Sequence, residues 1–251
     1  MPEKSIAILM SGLIREDVSI ILRNIANIYK QFSHLVIVDI FFHTWESTEK
    51  YSYPPESLEL IKSVVKEVIV RPFPKELSPE YYLPMENSEK YSYNVFCLFL
   101  AISQLCELID NKNYDHVCRI RNDLYIDADF GHLLKLLEQN RTHYIAPIIL
   151  WMKGDGINDH FAITNKENFL KVFRTDEEKL KIDFKAMHEC PEKILLYKLL
   201  INNLRYSIFL PYNYVLKNSY MVKDEGIVIN NLNSYMHNYV RNNLDIKILE
   251  S

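Results

Sequence analysis

The densest group of reactive side chains in this 251-residue sequence is Arg119-Ile120-Arg121-Asn122-Asp123. A strand's period of two puts Arg119, Arg121 and Asp123 on one face, toward the end of a predicted strand. Three charges on a covered sheet need partners. Either Asp123 pairs with an arginine in an internal network, or the arginines meet anionic oxygens while the aspartate binds a hydroxyl or a divalent ion. A second group, Ser11-Gly12-Leu13-Ile14-Arg15, follows an apolar run and opens a helix, where backbone N–H groups can receive phosphate and Arg15 adds charge. It has neither the three spaced glycines of a dinucleotide fingerprint nor the GK[ST] of a phosphate loop.

The run from Asp39 to Glu46 brings an acid, an imidazole, a hydroxyl and an indole to the end of another predicted strand. His43 suits a general base, a ligand or a hydrogen-bond donor to a sugar or ribose, Thr44 offers its hydroxyl, and Trp45 can stack on a ring; the alternative is a buried aromatic cluster around one satisfied histidine. In Gly154-Asp155-Gly156-Ile157-Asn158-Asp159-His160 the glycines allow close approach. Asp159 can orient a sugar hydroxyl, bind a metal or act as a base, with Asn158 and His160 assisting; a plain polar loop is the competing reading. Glu189 and Glu192 near a helix start favour the helix dipole, and Glu192 can also reach a cleft. His237 is either a surface or structural histidine or a late metal ligand.

These groups need a scaffold. Ile6 to Met10 reads as a buried strand, and apolar residues from Val18 to Phe32 recur at helical spacing. Leu35 to Phe42 is a second strand, Glu56 to Lys66 a short helix and Glu67 to Arg71 a third strand. From Pro72 to Lys90 four prolines (72, 74, 79, 84) predict irregular structure, either a functional lid or plain packing. Val95 to Ile109 marks a helix face, His116 to Arg121 a strand, and Asp129 a cap for the helix carrying Leu133, Leu134, Leu136 and Leu137. Tyr144 to Leu150 is a further strand, Phe161 to Ile163 an apolar run, Asn165 to Phe173 a helix, and Pro191 the first turn of another. Alternating strands and helices predict one α/β domain over 1–251, with a mostly parallel sheet flanked by helices and ligands at the strands' carboxyl ends.

Composition narrows the class. With 48% apolar, 12% aromatic and 25% charged residues the chain can bury a core, and a net charge of −4 gives no general attraction to nucleic acid. Nucleic-acid binding is therefore not expected. The four cysteines (97, 106, 118 and 190) lie in apolar runs without paired spacing, as buried free thiols do. No signal peptide or transmembrane segment is read, so the expected location is cytoplasmic, with peripheral contact at the inner face of the membrane left open. Pattern excludes a GxSxG elbow, an HExxH helix, a cysteine zinc site and a kinase glycine loop.

Taken in order, SGLIR at 11–15, DIFFHTW at 39–45, RIRND at 119–123, NDHFAIT at 158–164 and PEKILLYKLL at 191–200 resemble the WavE-like group of capsule and lipopolysaccharide biosynthesis proteins, which are glycosyltransferase-like. The resemblance implies a GT-A fold, a nucleoside-diphosphate sugar as donor and a saccharide of a bacterial surface polysaccharide as acceptor. It implies that Ser11, Gly12, Arg15, His43, Thr44, Trp45, Arg119 and Arg121 line the donor side. Asp123 stands where related transferases keep an acidic metal motif, and Asp159 becomes the base of an inverting reaction, with Asn158, His160 and Glu192 near the substrate. Because Arg121 replaces the first acid of the usual DxD, one carboxylate has to serve for two, and Mg²⁺ or Mn²⁺ shares the diphosphate's charge with the arginines or is replaced by them. Two other functions fit the same cleft: nucleotidyl or substituted-phosphoryl transfer to glycans, and a non-catalytic glycan- or nucleotide-binding subunit.

Overall fold

A computed structural model describes residues 4–14, 18–78, 88–139, 142–147, 157–187, 191–209 and 213–216. Arg15, the glycines at 154 and 156, Asp155, Glu189, Cys190 and His237 lie outside them.

The elements run β1 (Ser5–Ser11), α1 (Val18–Phe32), β2 (Ile37–Trp45), α2 (Pro55–Val64), β3 (Glu67–Arg71), α3 (Ser88–Ile109), β4 (His116–Arg121), β5 (Leu124–Asp127), α4 (Phe130–Glu138), β6 (Tyr144–Pro147), β7 (Phe161–Asn165), α5 (Lys166–Phe173), α6 (Glu177–Met187), α7 (Pro191–Ile201), β8 (Tyr206–Phe209) and β9 (Asn213–Leu216). The expected α/β architecture is present. Seven strands form one sheet in the order β3-β2-β1-β4-β7-β6-β8, and β5 pairs with β9 in a small second sheet. In the large sheet only β7 runs against its neighbours, so the sheet is mostly parallel, as expected.

The continuous apolar run Ile6–Met10 is what a strand covered on both faces requires, and all five residues are buried. Its even positions pack with α1, α2 and α4, while Ala7 and Leu9 face α3 and helices α5 to α7. Helices thus cover both faces. Helix α3, from Ser92 to Ile109, is long and apolar enough to cross a membrane, yet 67% of that window is buried inside the protein, where it supplies one wall of the core. Cys97, Cys106 and Cys118 are free and buried, and burial pushes the Cys97 thiol up to about 12, which leaves it unreactive.

Local signals placed the ends correctly. The Asp129 side chain accepts from the His132 N–H at the start of α4, Asn165 caps α5 through the Asn168 N–H, and Pro191 opens α7. Four elements differ from expectation. β2 continues through His43 and Trp45 because Phe41, His43 and Trp45 all face the α3 side. α3 starts at Ser88, inside the stretch expected to be irregular, and not at Val95. α6 and β5 were not expected, being too polar or too short to show a period.

Candidate functional site

Chain order around β1 fixes where a site belongs. The chain steps from β1 to β2 to β3 on one side, then crosses through α3 to β4 on the other, so the order reverses between β1 and β4. A crevice opens at the carboxyl ends of strands flanking such a reversal. Ser11 and Arg121 end their strands in register with each other there, beside His43 on β2. Antiparallel β7 starts at this same edge, with Phe161 opposite Ile120. Asp159 and His160, just before β7, are therefore carried past the end of β4, and the Arg121 N–H donates to the His160 carbonyl (2.9 Å). RIRND and NDH, 35 residues apart from Asp123 to Asn158, meet at one edge.

Asn122 ties these strand ends together. Its Nδ2 donates to the Leu13 carbonyl (2.8 Å), its N–H to the Ser11 carbonyl (3.2 Å), and its own carbonyl accepts from Asn24 Nδ2 (2.9 Å). Gly12 is required beneath it, since a Cβ there would sit 2.5 Å from Asn122 Cγ and its φ is +155°. The Ser11 Oγ is buried without a hydrogen-bond partner among the described residues.

The charges fall into layers. Arg121 grips Asp123 with two parallel bonds, Nε to Oδ1 and Nη2 to Oδ2, both 2.8 Å. This is the pairing that the motif's spacing allows, and the Arg121 side chain remains 34% exposed. Arg119 is only 1% exposed. It acts as a buried positive charge beside the strand ends, felt by Asp159, His160 and Tyr144, and its burial puts the expected donor contact behind the more exposed Arg121. Asp159 is buried with His160 Nε2 3.3 Å from its Oδ1. Burial alone would raise the Asp159 carboxyl, but His160, Arg119 and Arg121 outweigh it and hold it below the ordinary value. Burial drives His160 down to about 4, with the arginines adding to the effect, so the imidazole is neutral at physiological pH. The start of α7 lies alongside through its backbone: the N–H of Ile157, adjacent to Asn158, donates to the Glu192 carbonyl (3.0 Å).

His43, Thr44 and Trp45 are buried, and the structure fits the aromatic-cluster alternative to their donor role. His43 Nε2 donates to Gln104 Oε1 (2.6 Å), burial lowers its imidazole to about 4, and Trp45 lies edge-on to it (4.7 Å). Thr44 Oγ1 lies 3.4 Å from the Tyr51 hydroxyl. Gln104 was missed in the sequence, although a polar residue on the apolar face of α3, four positions after Leu100, was the available sign. Asn122 was visible within RIRND but carried no assigned role.

A divalent cation does not fit the described residues. No three His, Cys, Asp or Glu side chains among them converge, and both Asp123 oxygens already accept from Arg121.

No family model matches the chain, and no curated protein matches it. Among solved structures it is similar to a glycosyltransferase involved in glycosylation of the major capsid of PBCV-1, at 14% identity over 83% of this chain and 82% of that one, with a TM-score of 0.42. It is also similar to mouse xyloside xylosyltransferase 1 in its apo form (11%, 81% and 84%, TM-score 0.44). A third is the galactosyltransferase LgtC in complex with donor and acceptor sugar analogs (11%, 80% and 73%, TM-score 0.48). With each TM-score below 0.5, the functional reading rests on the residues of the site.

Proposed function

We propose that the chain is a GT-A-like glycosyltransferase that moves a sugar from a nucleoside-diphosphate donor to a saccharide acceptor. The observation that carries this reading is the meeting of Arg121-Asp123 with Asp159-His160 at the carboxyl ends of β1 and β4. Glycosyl transfer breaks the bond between the anomeric carbon and the phosphate oxygen, leaving the electron pair on the diphosphate. The partly exposed Arg121 side chain, aimed by Asp123 and backed by the buried charge of Arg119, stabilises that leaving group. The acceptor hydroxyl attacks the anomeric carbon and gives its proton to Asp159 in an inverting reaction. A diphosphate beside Arg121 adds negative charge that offsets the arginines, so donor binding raises the Asp159 carboxyl from its depressed value toward a useful base. The neutral His160 holds that carboxylate in place.

The resemblance to capsule and lipopolysaccharide proteins supports a surface polysaccharide as the acceptor's destination and a cytoplasmic site of action, at the inner face of the membrane where the acceptor is lipid-linked. The test is thermal stabilisation by UDP, GDP and their sugar conjugates, each with Mg²⁺, Mn²⁺ or EDTA, because a ligand bound only to the native state raises its stability by mass action. A shift that survives EDTA and disappears in Arg121→Ala is the expected result. A shift that needs Mn²⁺ and disappears in Asp123→Ala moves the diphosphate's charge onto a cation. A phosphorylated glycan product would replace glycosyl transfer by phosphoryl transfer.

A further inference from the structure

Trp45, found in the core, leads to a second place where a ligand fits. Its indole stacks on Phe73 (5.3 Å, 23° between planes), and Phe73 meets Tyr51 edge-on (5.7 Å, 89°). Beyond this row lies a cavity of about 630 Å³, built from the connection after β2, the connection after β3 and the first turns of α3. That volume is typical of small-molecule sites, roughly 300–1,000 Å³. Phe73, Tyr51 and Tyr93 supply its rings. The two tyrosine hydroxyls are tethered, Tyr51 to the Ile14 carbonyl (2.9 Å) and Tyr93 to the Pro74 carbonyl (2.8 Å). The rings are thus fixed before any ligand arrives.

Among the described residues that line it, Glu49, Glu76 and Glu89 stand against one cation, Lys50. Three carboxylates to one ammonium repel a nucleoside diphosphate, whose charge matches the arginines of the crevice instead. Aromatic walls beneath an acceptor-rich rim suit a ring with apolar C–H faces and hydroxyls or an ammonium at its edge. We propose that this cavity is a saccharide subsite, holding a neutral or amino-sugar residue of the acceptor away from the reacting hydroxyl. The proposal deepens the glycosyltransferase reading and names the acceptor's chemistry. Tyr51 links the two places physically, because the carbonyl it holds belongs to the loop that follows Gly12.

The experiment titrates the full chain with cello-oligosaccharides, N-acetylated chito-oligosaccharides and their de-acetylated, cationic counterparts. Binding is followed by saturation-transfer NMR and by tryptophan fluorescence in a Trp151→Phe background, where Trp45 is the only indole and stacks on Phe73. Phe73→Ala removes a wall; the double variant Glu76→Lys/Glu89→Lys reverses charge at two exposed positions and spares the core. The expected result is binding of at least one oligosaccharide, weakened about tenfold or more in both variants, with nucleoside-diphosphate stabilisation unchanged in both. The proposal is overturned if no oligosaccharide of the panel binds, if binding survives both variants, or if the variants alter the nucleotide's binding instead. Variant-sensitive saccharide binding without any nucleotide stabilisation would keep this subsite and remove the transferase reading.

Discussion

The two ends of the sheet both carry opposed charges and use them differently. At the amino end, Lys66 Nζ lies 2.5 Å from Asp39 Oδ2, the Tyr114 hydroxyl donates to the same oxygen (2.6 Å), and Lys112 meets Glu67 (3.1 Å). The lysine side chain is 47% exposed and the aspartate 23%. Burial would raise the Asp39 carboxyl, but hydrogen bonds from Lys66 and Tyr114 hold it below its usual value. At the carboxyl end, Arg119, Asp159 and His160 are buried together. Exposed pairs contribute roughly 0–1 kcal/mol and bind strand starts to their neighbours. Buried charges cost several kcal/mol of desolvation and are poor stabilisers, so a cluster of them at a topological reversal points to chemistry.

The largest contrast should come from removing one carboxylate at each end. Asp159→Asn is expected to reduce sugar transfer by about 10²–10⁴-fold, the range for a positioned proton acceptor. Asp39→Asn should leave transfer within about twofold, since it removes only an amino-end contact. Initial rates with one donor and acceptor pair decide it; comparable losses at both ends would abolish the distinction.

Next in size is the crevice's own packing. Gly12→Ala drives a methyl group into the Asn122 side chain and should cost about 2–3 kcal/mol in urea unfolding. Asn122→Ala, losing its bond to Leu13, should be destabilising by about 1 kcal/mol. The double variant should be more stable than the sum of the two predicts, because the clash goes with the amide. Simple additivity would mean that the turn's φ, and not the Asn122 contact, sets the need for glycine.

How far the sequence revealed this arrangement depends on the range of the signal. The strands β1 and β4 and the caps Asp129 and Asn165 rest on local periodicity and single side chains, and they were legible. The direction of β7 was not, since a five-residue apolar strand reads the same in either orientation; yet that reversal is what brings Asp159 to Arg121. Alternation placed Arg119 and Arg121 on one face but carried no depth, so it could not separate the buried charge from the reachable one. His43 and Trp45 looked like ligand contacts because a strand end is where such residues often serve; only the opposing Gln104 and Phe73 reveal them as core. The aromatic cavity draws on three separate segments, 48–51, 73–77 and 89–94, and no local pattern joins them.

The smallest expected effect is a pH dependence that separates the buried histidines from Asp39. His43 and His160 are held down to about 4 by burial, and burial lowers His116 in the same direction. An unfolded histidine titrates near 6.5, so between roughly 6.5 and 4 the unfolded chain binds more protons than the native one. Stability therefore rises with pH across this window and is lost as pH falls from 6.5 toward 4. Asp39, with a lowered carboxyl, contributes with the same sign but only at more acid pH, below the ordinary aspartate value. Urea midpoints at several pH values between 7 and 4 should thus fall most steeply above the range where Asp39 titrates. His160→Gln should flatten that slope by roughly the share of one proton, whereas Asp39→Asn should leave it unchanged above pH 5. An unaltered slope in His160→Gln would mean that the imidazole titrates normally in the folded protein, and the buried character assigned to the carboxyl-end cluster would fail with it.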